Sequence, residues 1–532
     1  MKAAAFKKSR SANGIKSGVG MLAVGSVIAK LLGALYRVPL TNILGAEGMG
    51  LYQLVFPVYA LFMTLSTIGI PTALSRIVAE QKAKNDGAKK YFFACMLILL
   101  ALATMAAILV FSLAEYIAIW QGNAVAYKGF WIIAPSLIFV GAIAGFRGWF
   151  QGEMYMLPTA VSNIIEQLVK LALGLALSVA FAKRGVIYAV YGALAGVTVS
   201  EFVALVYMFV TYVVRNKNRE SESLKISREN MTGVFKTAFP IAIVSVLVPL
   251  SNFFDSVVIV NMLKLFGLQK EVATAEYGLF SGPVNSLVNM PVVLALSLAI
   301  VIVPSVSVSR VERDVDAIMQ KSRITVKLTY LLGIPFAIFF IVFGERIVGA
   351  IYPRLSGEQL IVAGNLLKIS SFNVVTLSCM QIYVSLLQAV DKTKKAVVSL
   401  GLAVVLKTLL QIVLTRYMGI TGAAIAGVAM GFVALMATAL SYFQVCGLHL
   451  EKSVGINLLV GVIMGLAGIV VTTYIANDVL AVALGAVVCA FVYVFCVFLF
   501  GLIGKEEIAN YPAGKLLFRI HRVVRFWEYK DA

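Results

Sequence analysis

Apolar stretches of about twenty residues or more, separated by short basic turns, recur along the chain from end to end. A bilayer core of about 30 Å takes about 20 helical residues to cross, and fourteen stretches reach that length. They lie near 17–44, 50–76, 91–112, 128–150, 158–182, 186–213, 237–263, 277–308, 324–350, 361–388, 396–416, 420–446, 455–475 and 479–503. Several exceed twenty residues, which predicts tilt or extension beyond the lipid. The pattern therefore predicts an all-α integral membrane protein with about fourteen transmembrane helices. The basic stretch Lys2 to Lys16 precedes an apolar run longer than a signal-peptide core, without a small-residue cleavage site, so it reads as the lead-in to an uncleaved first span.

Composition agrees. Of 532 residues, 61% are hydrophobic and 13% charged, against about 45–50% and about 25% in soluble domains; the mean hydropathy is +0.94. The formal net charge of +20, from 45 Lys and Arg against 25 Asp and Glu, could indicate nucleic-acid binding if the cations shared one water-facing surface. They do not, and no nucleic-acid partner is expected. With an even number of spans both termini share one side, and thirty of the 45 basic residues fall in the loops and termini of that side against eight in the opposite loops. The positive-inside rule then places both termini in the cytoplasm. The remaining seven, Lys30, Arg37, Arg76, Arg147, Lys170, Lys368 and Lys407, lie within or at the edge of spans. The five Cys lie in apolar segments without CxxC spacing, and two His, His449 and His521, offer little imidazole chemistry.

Landmarks of the first six spans recur in the next six. Val38-Pro39-Leu40-Thr41-Asn42 returns as Val248-Pro249-Leu250-Ser251-Asn252, and Pro57, Pro71 and Arg76 as Pro291, Pro304 and Arg310. Gln151, Ser162 and Lys170 return at constant offset as Gln388, Ser399 and Lys407, and Phe202-Val203-Ala204-Leu205 as Phe432-Val433-Ala434-Leu435. Units of six spans repeat with the same orientation, related by a pseudo-twofold axis along the membrane normal, and transporters of this kind bind substrate at the repeat interface. The predicted organisation is an N-terminal lobe 1–214, a cytoplasmic linker 215–236 and a C-terminal lobe 237–448, followed by two appended spans in 449–504 and a tail 505–532. In that tail Arg519, Arg522 and Arg525 interleave with apolar residues from Gly514 to Lys530, which suggests an interfacial amphipathic helix on the anionic leaflet. Pro residues in the first, second, seventh and eighth spans each remove a helical hydrogen bond and mark expected bends.

An ionisable group at mid-membrane costs about 2.5–3.5 kcal/mol on insertion scales, so each should meet a partner or a watery cavity. Lys30 and Arg37 are seven residues apart, about two turns, and form a cationic strip about 10 Å long, suited to a phosphate or diphosphate; the alternatives are pairing with a carboxylate or snorkelling, for which Arg37 is near enough to the outer end. Arg76 and Arg147 lie near the cytoplasmic interface, where substrate contact competes with headgroup anchoring. Glu166 and Lys170 have the spacing of an intrahelical pair. Lys407 lacks a carboxylate one turn back, so it needs a partner on another helix or faces the cavity. Asp255 either binds a coupling cation or proton or neutralises a cavity cation. Asn42, Asn252 and Asn289 could hydrogen-bond a saccharide or peptide headgroup or serve as interhelical glue. The chain has no phosphate-binding loop, HExxH or GxSxG motif, and its longest hydrophilic loop, of about 22 residues, is too short for a catalytic domain. A secondary carrier, not an enzyme, is expected.

Lys30-x-x-Gly33-x-x-x-Arg37, Gly45-Ala46-Glu47-Gly48-Met49-Gly50-Leu51-Tyr52-Gln53 and Gly69-Ile70-Pro71 with Ser75-Arg76 resemble the opening of the polysaccharide-export branch of the multidrug/oligosaccharidyl-lipid/polysaccharide exporter superfamily. Arg147-Gly148-Trp149-Phe150-Gln151-Gly152, Pro158-Thr159-Ala160 and Glu166-Gln167 resemble its most distinctive signature. The resemblance runs end to end and is closest to the stage V sporulation protein B group and the MurJ-like lipid II flippases of Gram-positive bacteria. It implies two six-helix lobes around a central cavity in the bacterial cytoplasmic membrane. The implied activity is export of an undecaprenyl-diphosphate-linked saccharide, such as lipid II, for peptidoglycan, spore cortex or polysaccharide synthesis, alongside cell-wall synthesis enzymes. It also implies that Arg37 and Arg76, with Lys30, meet the diphosphate, and that the last two spans border a groove for the lipid tail. One departure stands out: some MurJ proteins carry an Arg in the eighth span shortly before the position of Pro291, where this chain has Asn285, Ser286 and Asn289.

No cofactor is expected. The membrane potential, or a coupling cation (Na+ or H+) with Asp255 as its site, could drive export. Moving one charge is worth about 2.3 kcal/mol per 100 mV, so a doubly charged diphosphate leaving an inside-negative cell would gain about 4–5 kcal/mol. The alternatives are a multidrug/cation antiporter of the same superfamily, which should present acids to its cavity, and a scaffold of an envelope-synthesis complex without transport.

Overall fold

The computed structural model describes residues 2–67, 69–83, 88–216, 228–447 and 453–502. Residues 217–227 of the linker, His449, His521 and the basic tail with its expected amphipathic helix lie outside the described residues. Every regular element among the described residues is helical: α1 Lys2–Thr67, α2 Ile70–Ala83, α3 Lys89–Ser112, α4 Ala114–Trp120, α5 Tyr127–Gly152, α6 Leu157–Ala182, α7 Val186–Asn216 and α8 Arg228–Phe266. There follow α9 Lys270–Val311, α10 Val315–Ile351, α11 Gly357–Ser370, α12 Phe372–Ala389, α13 Thr393–Met418, α14 Ile420–Cys446, α15 Ser453–Tyr474 and α16 Asp478–Leu499. Thirteen stretches among the described residues are long and apolar enough to cross a membrane. One of them, Ile28–Lys82, holds 55 residues and covers the first two expected spans. The protein is a multi-pass membrane protein.

Glycine and proline set where these helices bend. The first two expected spans are joined through Gly45 (φ 66°, ψ −173°), a backbone state open to glycine at little cost. The second expected span, 50–76, is interrupted instead of merely kinked: Gly69 takes φ 65°, and Pro71 sits in the first turn of the new helix α2, where its missing N–H costs nothing. The tenth expected span, 361–388, is broken at Ser371 between α11 and α12. There the Ser371 hydroxyl donates to the Lys368 carbonyl at 2.6 Å, in local competition with the helical ladder.

The chain packs as two compact units, one of residues 1–286 and 400–426, the other of 287–399 and 427–532. In the first, Trp149, Phe150, Tyr91, Phe92 and Leu74 form a buried cluster where α2, α3 and α5 meet. The adjoining ends of α8 and α9 are tied to the earlier helices by buried polar groups. Gln121 Nε2 donates to the Leu54 carbonyl and to Ser256 Oγ, both at 2.8 Å, and Asn123 Nδ2 donates to Thr274 Oγ1 at 2.9 Å. Gln53 Nε2 donates to the Ser281 carbonyl at 2.6 Å, and Tyr277 Oη returns a bond to the Gln53 carbonyl at 3.1 Å. Such contacts are possible because the backbones nearly touch: a Cβ at Gly278 would lie 2.3 Å from the Ala46 carbonyl oxygen and 2.4 Å from the Gly50 nitrogen.

In the second unit, α15 and α16 dock on α10. The Phe343 ring is received by Gly468 and Gly485, whose added Cβ atoms would lie 2.9 and 2.3 Å from it. Tyr493 Oη donates either to the Leu331 carbonyl at 2.9 Å or to Asn457 Oδ1 at 2.6 Å. The Arg346 guanidinium caps the end of α15, donating to the carbonyls of Thr472, Ile475 and Ala476 at 2.8–3.2 Å, and meets Asp478 at 3.3 Å.

Gly278→Ala should lower thermal stability, because the obstructing atoms are backbone and overpacking costs about 1–3 kcal/mol. Gly357→Ala, with nothing within 4 Å of its Cβ, should leave the melting temperature of the purified protein within about 1 °C on the same scale. Equal melting of the two variants would refute the close approach.

Candidate functional site

The intramembrane cations divide by partner. Arg76 is exposed and pairs with Glu80 of its own helix at 2.8 Å. Arg147 Nη2 reaches Glu166 Oε2 at 3.2 Å, and its Nε donates to Ser162 Oγ at 3.2 Å. Lys368 pairs with Glu345. Lys407 Nζ lies 2.6 Å from Asp255 Oδ2 and donates to Ser251 Oγ at 3.2 Å, with both charged side chains nearly buried. The two lone charges of the seventh and eleventh spans thus answer one another.

The expected Glu166 to Lys170 pair does not form. Glu166 is taken by Arg147, whose planar guanidinium suits a carboxylate better than an ammonium does. At Lys170 the helix widens into a π turn, Lys170–Gly174, which leaves α-helical register. The lysine ammonium rests 5.8 Å from the centre of the Tyr36 ring.

Lys30 and Arg37, like Lys170, stand apart from the paired cations. Among the described residues neither has a carboxylate within ion-pair distance. Lys30 is exposed and Arg37 half-buried. Arg37 Nη1 donates to Ser286 Oγ at 3.2 Å, and Ser286 is itself fixed by donating to the Gly282 carbonyl at 2.6 Å. The hydroxyl that orients Arg37 therefore comes from the eighth expected span, 277–308. Asn42 is half-buried and Asn252 exposed, both in the first unit; Asn289 is exposed in the second. Among the described residues no group of three or more His, Cys, Asp or Glu could hold a metal ion.

The profile of the family described as polysaccharide biosynthesis protein matches residues 15–310. The chain belongs to this family. Stage V sporulation protein B of Bacillus subtilis (strain 168) is 25% identical over 94% of this chain and 98% of its own length. Lipid II flippase MurJ of the same organism is 25% identical over 92% and 96%. Among solved structures, lipid II flippase MurJ in an inward closed conformation superposes with a TM-score of 0.67 at 16% identity over 90% of this chain and 98% of that one. An inward-facing multidrug resistance MATE transporter gives 0.65 at 15% identity over 78% and 94%. The fold is thus the one these two solved structures share.

Within this family frame, one buried acid escaped the sequence reading. Glu201, in the apolar helix α7, is 6% exposed, and the signal that singled out Asp255, a lone acid inside an apolar span, applies to it equally. Its neighbour Tyr59 could not have been found that way, since tyrosine in a membrane helix carries no such signal.

Breaking the Lys407 to Asp255 pair should be costly because it strands a nearly buried charge. Asp255→Leu alone should destabilise by about 3–5 kcal/mol, whereas adding Lys407→Met to Asp255→Leu should recover most of that. Thermal unfolding of the four members of this cycle measures the difference; additive single effects would show the pair to be uncoupled.

Proposed function

We propose that the chain is a flippase that moves a polyprenyl-diphosphate-linked cell-envelope saccharide, lipid II or a related precursor, to the outer leaflet by alternating access. One observation carries this reading: of the cations within the membrane helices, Lys30 and Arg37 lack a carboxylate while most others have one. An uncompensated cationic strip is costly unless an anion visits it, and a diphosphate supplies charge and acceptor oxygens at the right spacing. Asn42, Asn252 and Asn289 are proposed for the headgroup. Arg76 takes a lesser part, because Glu80 already engages it.

The landmarks shared by the two halves support lobes 1–214 and 237–448 about a pseudo-twofold axis, with the linker, appended helices and tail as set out above. The bias of Lys and Arg supports fourteen crossings with both termini in the cytoplasm. On that orientation the bonds of Gln53, Gln121 and Asn123 lie toward the outer face, and they must part for release. The membrane potential or a coupling cation drives the cycle; a cation using Asp255 must displace the Lys407 ammonium.

A cation antiporter is favoured less, since Glu166 and Asp255 are neutralised inside the protein. Loss of the charged bonds made by Arg37 removes about 1.5–3 kcal/mol, so Arg37→Ala should lower outer-leaflet exposure of lipid II about 10–100-fold in cells that depend on this chain. Arg76→Ala should cost less. Full export by a stably inserted Arg37→Ala protein would sink the proposal, whichever lipid headgroup is tested.

A further inference from the structure

The first unit contains an ion pair that has not formed. Glu201 of α7 is buried, and among the described residues its one hydrogen bond is a long one, from Tyr59 Oη to Glu201 Oε1 at 3.4 Å. Among the described residues no ammonium or guanidinium reaches it within ion-pair distance. Lys170 of α6 is likewise without a carboxylate partner and has only the Tyr36 ring. The two side chains are near enough to interact electrostatically, as are Glu166 of α6 and Arg147 of α5, which are already joined to each other. Glu201 is thus surrounded by Tyr59 from α1, Arg147 from α5, and Glu166 and Lys170 from α6.

A bare carboxylate held by one weak phenol bond in so dry a place is costly unless paired or neutralised. The π turn at Lys170–Gly174 adds a second, independent observation. Such turns often mark functional positions, and this one is held by contact of Gly174 with Gly196 of α7, where an added Cβ on Gly196 would lie 2.3 Å from the Gly174 Cα. The turn begins at Lys170 itself, so the residue whose movement matters sits at a change of helical geometry.

We propose that Glu201 is a proton-binding site of this carrier, holding a proton in the arrangement described and surrendering it to solvent when Lys170 moves over to pair with the carboxylate. The exchange balances: one proton leaves Glu201, and the charge left behind is met by the existing ammonium. This rests on the reading of the chain as a carrier and adds the coupling ion to it.

Infrared spectroscopy of the full chain in lipid nanodiscs at neutral pH reads that proton directly and requires no substrate, so its outcome does not depend on which lipid is exported. Wild-type protein should show the carbonyl stretch of a protonated carboxylic acid. Glu201→Gln, isosteric with the protonated acid, should fold and lose that band, while Glu80→Gln keeps it. Tyr59→Phe should shift the band by removing its hydrogen bond. On raising the pH the wild-type band should bleach, and in Lys170→Met it should persist through the same range. A wild type lacking the band, a band that survives in Glu201→Gln, or bleaching unchanged in Lys170→Met would each overturn the proposal.

Discussion

Charge within a low-dielectric slab must be answered by opposite charge, by water or by a ligand, and the interior of this protein is arranged around that demand. Each solution differs in what it leaves available. Arg147 with Glu166 and Lys407 with Asp255 close their fields locally and contribute fixed geometry. Lys30 and Arg37 leave theirs open. A carrier for a diphosphate lipid requires both kinds: neutral interiors that let helices pack in hydrocarbon, and a positive strip whose field is satisfied only when cargo is present.

The all-helical, multi-pass character of the chain was legible because it rests on one-dimensional information, the length of apolar runs, and that Lys30 and Arg37 share one helix was legible from their spacing. The pairing of Lys407 with Asp255 was half legible, since each residue announced that it needed a partner but not which. The Glu166 to Lys170 reading failed because spacing along one helix says nothing of a competitor on another, and Arg147 of α5 takes Glu166, a tertiary fact. Similarly, Gly69 with Pro71 looked like a kink but became a break, since a bend and a restart share the same residues.

Ser286 shows how one hydroxyl can set a guanidinium. It accepts from Arg37 and is itself pinned to its own helix. A short, fixed acceptor restrains the direction of one guanidinium edge and leaves the other edge free, whereas a second cation would have repelled it. The proposed anion site thereby holds its guanidinium in a narrow range of orientations.

The cap that Arg346 places on α15 bears on how the chain is made. The guanidinium is synthesised more than a hundred residues before the carbonyls it serves, so during insertion it must wait, hydrated or bound to lipid phosphate, until the last hairpin emerges. Phe343 waits beside it for the two glycines that receive its ring. Ribosomal order thus makes the terminal hairpin the keystone of the second unit, and a nascent chain stalled before Thr472 would display an unfilled aromatic knob and an unsatisfied arginine, features by which membrane quality control could recognise an unfinished protein.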